Sequence, residues 1–295
     1  MKRPEAFPTN LELRESNPDG SEGSGLSHTP GGMFLLHVLE LAAEGEPRGG
    51  VTILHGAGDH GARYLDLAHV FAADGWAVSM PDMRGHGRSE GPRGHSAGMA
   101  EIVRDLSAVQ DHLCFLFPEG PQVLVGQGLG GLYALRFALE RPERVSALVL
   151  VGPWLQPRFE PAKASGGLLK LFKRPGPTST GPTGIDASYV SEDPEQQAAW
   201  RADELVHALI SQRAAESALE AAREVRARLA EIEVPLLVLR GERDALVTHA
   251  QVEVLAGARR ELRELPGVGH DAFHDRGAAE LARATAAWVN RAVPR

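Results

Sequence analysis

Asp244, in "GERDALV", and His270, in "PGVGHDAFH", each follow a short apolar run that reads as a strand. An aspartate beside a histidine can fix the tautomer of the imidazole and steady its charged form, while the histidine relays a proton. His274 and Asp275 are the local competitors for these two roles. Upstream, "HGAGDHGARY" runs from His55 to Tyr64. A strand ending in His-Gly-x-Gly can turn backbone N–H groups toward an oxyanion. A further strand end, "QVLVGQGLGG" from Gln122 to Gly131, reads as a buried strand, a glycine turn and the start of a helix. The middle of that turn, Gly128, has no side chain to react. The loop "DMRGHGRSEG", Asp82 to Gly91, is expected to brace its own turn rather than do chemistry.

These loops need strands to hold them. "GVTILHG", "WAVSMPD", "QVLVG" and "VSALVLVG" are apolar runs that end in turn residues. "ARYLDLAHVFAADG", "AEIVRDLSAVQDHLCFLFP" and "LGGLYALRFALERP" lie between them with helical spacing and glycine or proline stops. Apolar strands alternating with amphipathic helices predict an α/β fold, with a mostly parallel sheet covered on both faces. The alternation breaks after Pro153 and resumes at "VPLLVLRGERD". Residues 155–233 therefore read as an inserted helical lid above the carboxyl ends of the strands, where open α/β sheets bind ligands. Its Ala-, Glu- and Arg-rich run from Pro194 to Glu233 reads as helix. Residues 33–154 and 234–295 form the core on this reading, and residues 1–32 a flexible N-terminal segment.

Composition narrows the function. The chain has 295 residues, with 31 Lys and Arg against 39 Asp and Glu, a net charge of −8. That balance excludes nucleic acid as a bulk partner. The one cysteine, Cys114, is expected to be a core thiol on a helix. The first residues lack the apolar core of a signal peptide, and no run reaches the ~18–20 apolar residues of a membrane span, so a cytoplasmic location is expected. "LLKLFK", in the lid, is a short basic amphipathic stretch suited to transient contact with a membrane surface or to packing on the pocket. No histidines and carboxylates stand at metal-ligand spacing, and no glycine loop fits a phosphate or dinucleotide fingerprint. No metal and no cofactor are expected. Composition leaves the oligomeric state open.

Taken together, "HGAGDHGARY", "DMRGHGRSEG", "GERDALV", "GHDAFHD" and the lid segment "DPEQQAAWRADELVHALISQR" resemble the monoglyceride lipase and lysophospholipase branch of the α/β-hydrolases, which is grouped with the serine aminopeptidase domain. The resemblance runs from about residue 33 to 292. It implies the α/β-hydrolase fold and hydrolysis of lipid-like or small carboxylic esters by a Ser-Asp-His mechanism. It also implies Asp244 and His270 as triad members and the N–H groups of Ala57 and Leu129 as oxyanion donors. His55, Gly56, Gly58 and Gln127 would touch the ligand. The departure is at the centre. The turn that usually reads Gly-His-Ser-x-Gly-Gly here reads Gly126-Gln127-Gly128-Leu129-Gly130-Gly131.

A nucleophile elbow forces its central residue into a strained backbone conformation that glycine tolerates. Gly128 should keep the elbow, and is expected to stabilise it relative to serine by about 1 kcal/mol or more. Three readings stand at this point. The glycine replaces a serine in an ester hydrolase; or the protein is a pseudoenzyme that binds an acyl or lipid-like ligand or a protein partner; or the Asp244–His270 dyad works alone, without cofactor, as a general base.

Overall fold

Strands whose every side chain is buried must lie inside a sheet covered on both faces. Five of the apolar runs do. They are β3 (Gly49–Leu54), β4 (Trp76–Pro81), β5 (Gln122–Gln127), β6 (Ala147–Val151) and β9 (Leu236–Gly241). The computed structural model describes residues 4–14, 33–117, 120–156 and 178–294. Among these, eight strands form one sheet in the order β1-β2-β4-β3-β5-β6-β9-β10, with β1 at Phe7–Arg14, β2 at Met33–Leu41 and β10 at Arg260–Leu265. β1 and β2 pair antiparallel, as do β2 and β4; every other pairing is parallel.

Alternation along the strands sends side chains to two separate cores. Val123 and Val125 face one side, with α1 (Leu65–Ala73) and α8 (Ala278–Ala292). Leu124, Leu148 and Leu150 face the other, with α2 (Met99–Leu116) and α3 (Leu129–Glu140). The expected parallel sheet with helices on both faces is the observed α/β-hydrolase architecture.

Three expectations need correction. The N-terminal segment expected to be flexible over 1–32 holds β1, which pairs along its whole length with β2, from Phe7 opposite Glu40 to Arg14 opposite Met33. "FPTNLELR" alternates too weakly in hydropathy to announce a strand; the pairing edge of β2 supplies what the pattern lacks. Residues 15–32 lie outside the described set. The Ala-rich run expected as helix from Pro194 to Glu233 is divided. α5 (Pro194–Ala202) ends, β8 (Leu209–Ser211) pairs with β7 (Thr180–Pro182), and α6 (Gln212–Ala227) then begins. Ser211 stops the strand and caps α6, its hydroxyl accepting from Ala214 N–H at 3.1 Å.

The chain between β6 and β9 therefore holds a two-stranded sheet as well as helices, including the single-turn α4 (Ala187–Val190). "LLKLFK" lies outside the described residues. α6 buries Ala218, Ala221, Ala222 and Val225 in the same core as α2 and α3. Cys114 is half-buried on α2, rather than a core thiol. The last short helix, α7 (His249–Glu253), follows β9.

Candidate active site

Neighbouring parallel strands deliver the two chemistry-bearing loops side by side. β9 ends at Gly241, and a tight turn with Asp244 N–H on Gly241 O brings the carboxylate up three residues later. β10 ends at Leu265 and its loop carries His270. His270 Nδ1–H donates to Asp244 Oδ2 at 2.8 Å. The other carboxylate oxygen accepts from Leu246 and Val247 N–H, both at 2.8 Å. Both residues are buried. The aspartate is thus fully engaged, the imidazole is fixed as its Nδ1–H tautomer, and Nε2 is left as the basic nitrogen.

Nε2 faces Gly128. That residue sits at φ 52° and ψ −111°, between the end of β5 and the first residue of α3. A Cβ built there would lie 3.0 Å from His270 Nε2 and 3.4 Å from Trp154 Nε1. The elbow is tied at both ends. Gly128 N–H donates to Val151 O at 2.9 Å, and Gly128 O accepts from Trp154 N–H at 3.0 Å. Gly130 packs so closely on the end of β3 that a Cβ would fall 2.4 Å from Leu54 O. That approach brings Leu129 beside the loop after β3, and Ala57 and Leu129 line one cavity with His86, Tyr133 and Ile210.

The remaining expected site residues divide. Gly56 lies against Gln127, whose Oε1 would stand 1.9 Å from a Cβ at 56. Gly58, at φ 75°, lies against His207 of the insertion. His55 has both ring nitrogens on backbone: Nδ1–H donates to Gly56 O at 2.7 Å and Nε2 accepts Met83 N–H at 3.0 Å. Its ring ties two strand-end loops together. The Asp82 loop braces itself as expected, with Asp82 accepting from Gly61 and Arg88 N–H and Ser89 on Asp82 O.

The two competitors are spoken for. Asp275 accepts from Gly269 N–H at 2.7 Å and Glu192 N–H at 2.8 Å, holding the His270 loop. His274 donates from Nδ1 to Asp271 Oδ2 at 2.7 Å and from Nε2 to Arg63 O at 2.8 Å. Both partners are acceptors, so the ring carries both protons. Burial disfavours that cation, but Asp271 outweighs burial and raises the His274 pKa above its ordinary 6.5. A raised histidine contributes stability that is complete below its unfolded value and is lost as pH climbs through the folded one. The stability advantage over His274→Gln should therefore be full below about pH 6.5 and shrink above it. Urea unfolding of both proteins from pH 5.5 to 9 checks this; an advantage that grows with pH would contradict the charged assignment.

Comparison with known proteins gives the family of the chain. The family model described as "Serine aminopeptidase, S33" matches residues 45–277, a span that contains Gly128, Asp244, His270 and the chain between β6 and β9. The chain belongs to the S33 family. Its similarity to a monoacylglycerol lipase of Mycolicibacterium smegmatis is 30% identity, covering 83% of this chain and 89% of that one. A monoglyceride lipase of Homo sapiens is 30% identical over 78% of this chain and 82% of its own. Among solved structures, a Paleococcus ferrophilus monoacylglycerol lipase superposes with a TM-score of 0.76 at 26% identity, covering 87% of this chain and 99% of that one. Within the S33 family the chain is an α/β-hydrolase of the monoacylglycerol lipase-like branch.

Two residues beside the dyad were not singled out from sequence. Gly152, at φ 47°, lies under the pair; a Cβ there would meet His270 Nδ1 at 2.8 Å and Asp244 Oδ2 at 2.9 Å. Trp154 is buried with its ring centroid 6.3 Å from that of His270. "VGPW" after a buried strand did hold a signal: a glycine and a large aromatic at a strand's carboxyl end.

Proposed function

We propose that the protein seats a carboxylic ester, lipid-like or small, in a monoacylglycerol lipase-like site and releases it uncleaved, because the covalent step has no nucleophile. The ester carbonyl oxygen takes the N–H groups of Ala57 and Leu129, aided by the positive end of α3. The carbonyl carbon lies over Gly128, with His270 Nε2 beside it and Gln127, Gly56 and Gly58 around it. The observation that carries this reading is the intact Asp244–His270 pair aimed at a position with no side chain. An ordered imidazole base and an elbow survive, while the atom that would attack does not.

A second reading draws on the same distance. With Nε2 3.0 Å from the Cβ position of Gly128, the dyad borders the reaction point and could activate a water instead. Titration of the protein with a monoacylglycerol by calorimetry, with glycerol release followed in parallel, separates the two. Saturable binding with release at background supports the binder. Turnover that disappears in His270→Ala supports the dyad enzyme, and absence of binding removes both.

A further inference from the structure

The insertion is stitched to the loop that carries Ala57. His207 N–H donates to Gly58 O at 2.8 Å, and His207 O stands only 1.8 Å from where a Cβ of Gly58 would lie. A second stitch runs from Ser211 N–H to Gly94 O at 2.8 Å. The His207 ring completes a stack of three imidazoles from three segments. Its centroid is 4.8 Å from that of His86, which is 5.0 Å from that of His55.

Hydrogen bonds hold the outer two rings neutral. His207 Nε2–H donates to Gly85 O at 3.1 Å, while Nδ1 accepts Leu209 N–H at 3.2 Å. His55 Nε2 accepts Met83 N–H, as described above. A proton added at either acceptor nitrogen must displace a backbone N–H. The charged groups around the stack act in both directions. Arg93 faces His86 and His207, and His60 faces His55; Asp59 and Asp82 face His55 and favour its cation. Burial is the largest influence on all three rings and lowers each below the ordinary 6.5.

We propose that His207 is a positioning residue through which the insertion sets the oxyanion loop, and that it does so only while neutral, so that acid releases the insertion from that loop. This deepens the proposed function and rests on it for the role of Ala57; the stitch itself does not. The sign is fixed by linkage. The released form binds the proton that the stitched form refuses, so the stitched form loses ground as pH falls below 6.5. His60 Nε2 and Asp203 Oδ2 make a further contact between the two segments, at 2.9 Å. His95 is the rival, because its Nδ1 accepts from Ser211 Oγ at 2.8 Å beside the second stitch.

Amide hydrogen exchange on the unliganded protein tests the proposal, with rates corrected for their intrinsic pH dependence. Protection of the His207 and Ser211 amides should fall about tenfold per pH unit below pH 6.5, the slope for one proton taken up on release. His207→Phe keeps a ring on His86 and cannot take a proton; its fall should be at least about threefold smaller over the same unit. His207→Gln is the second variant and should behave alike. His95→Gln should retain the fall. A flat profile in the unsubstituted protein overturns the proposal. So does a fall that survives both His207 variants or disappears in His95→Gln. No ester enters this experiment, so failure of the proposed function leaves its outcome intact.

Discussion

Gly128→Ser should acquire ester hydrolysis roughly a thousandfold or more above the unsubstituted protein, and lose it again in Gly128→Ser/His270→Ala. In serine hydrolases loss of the nucleophile costs about a millionfold in turnover, so partial restoration leaves a wide margin for detection. The new Cβ would meet Nε2 at 3.0 Å, which is tight. The imidazole must give way by a few tenths of an ångström, and that retreat opens room for the Ser Oγ hydrogen bond. The backbone at φ 52° remains strained for serine by about 1–3 kcal/mol. Gain of activity and loss of thermal stability should therefore arrive together, with Tm falling by a few degrees. A chain-length series of p-nitrophenyl esters and a monoacylglycerol, alongside a thermal melt, reads both. If Gly128→Ser folds, melts as expected and hydrolyses nothing, the oxyanion roles assigned to Ala57 and Leu129 fall.

Gly152→Ala is expected to disable the Asp244–His270 pair with a single methyl group. Its Cβ would lie 2.8 Å from His270 Nδ1 and 2.9 Å from both Asp244 Oδ2 and His270 Cε1, so it wedges between the members of the pair. The position is also at φ 47°, which alanine resists. Strain and overpacking each cost about 1–3 kcal/mol, and together they should lower Tm by roughly 5 °C or more. Introduced into Gly128→Ser, the same change should reduce hydrolysis about a hundredfold or more, since displacing a reacting group by an ångström has that effect. Gly267→Ala is the control. It lies in the loop that carries His270 at φ 70°, but a Cβ there meets nothing within 4 Å. It pays the backbone cost alone and should leave the rescued activity in place. Equal losses in the two variants would show that the wedge is not what matters.

The parts of this molecule that could be read from sequence are those in which one physical cause dominates. Fully buried parallel strands are continuous apolar runs, so β3, β4, β5, β6 and β9 are visible, while the pairing of β9 with the half-exposed β10, which sets Asp244 and His270 on adjacent loops, is read from the structure. Where structure depends on a partner, the sequence was mute. β1 is a strand because β2 offers an edge, and β8 interrupts an Ala-rich run because β7 pairs with it. The assignment of His274 as a rival for His270 shows the same limit. Its spacing is equally good, and only Arg63 O and Asp271 reveal that both of its nitrogens are already engaged. Gly152 was passed over because its demand for a missing Cβ comes from two side chains about ninety residues downstream and more.

Pairing of Pro182 with Leu209 has a practical corollary for protein engineering. The segment 183–208 leaves and re-enters the protein at neighbouring points, on a short antiparallel stem. It contains Tyr189 and Val190, whose carbonyls accept from His270 and Asp271 N–H, as well as His207 at the Gly58 loop. α6 lies beyond the stem and belongs to the helical layer. A chimera cut at 155 and 233 would strip alanines from the core, whereas one cut at 182 and 209 would exchange a cartridge that touches the His270 loop and the Gly58 loop. Cartridges from related lipases, grafted on that stem, offer a way to transfer ligand preference without rebuilding the scaffold.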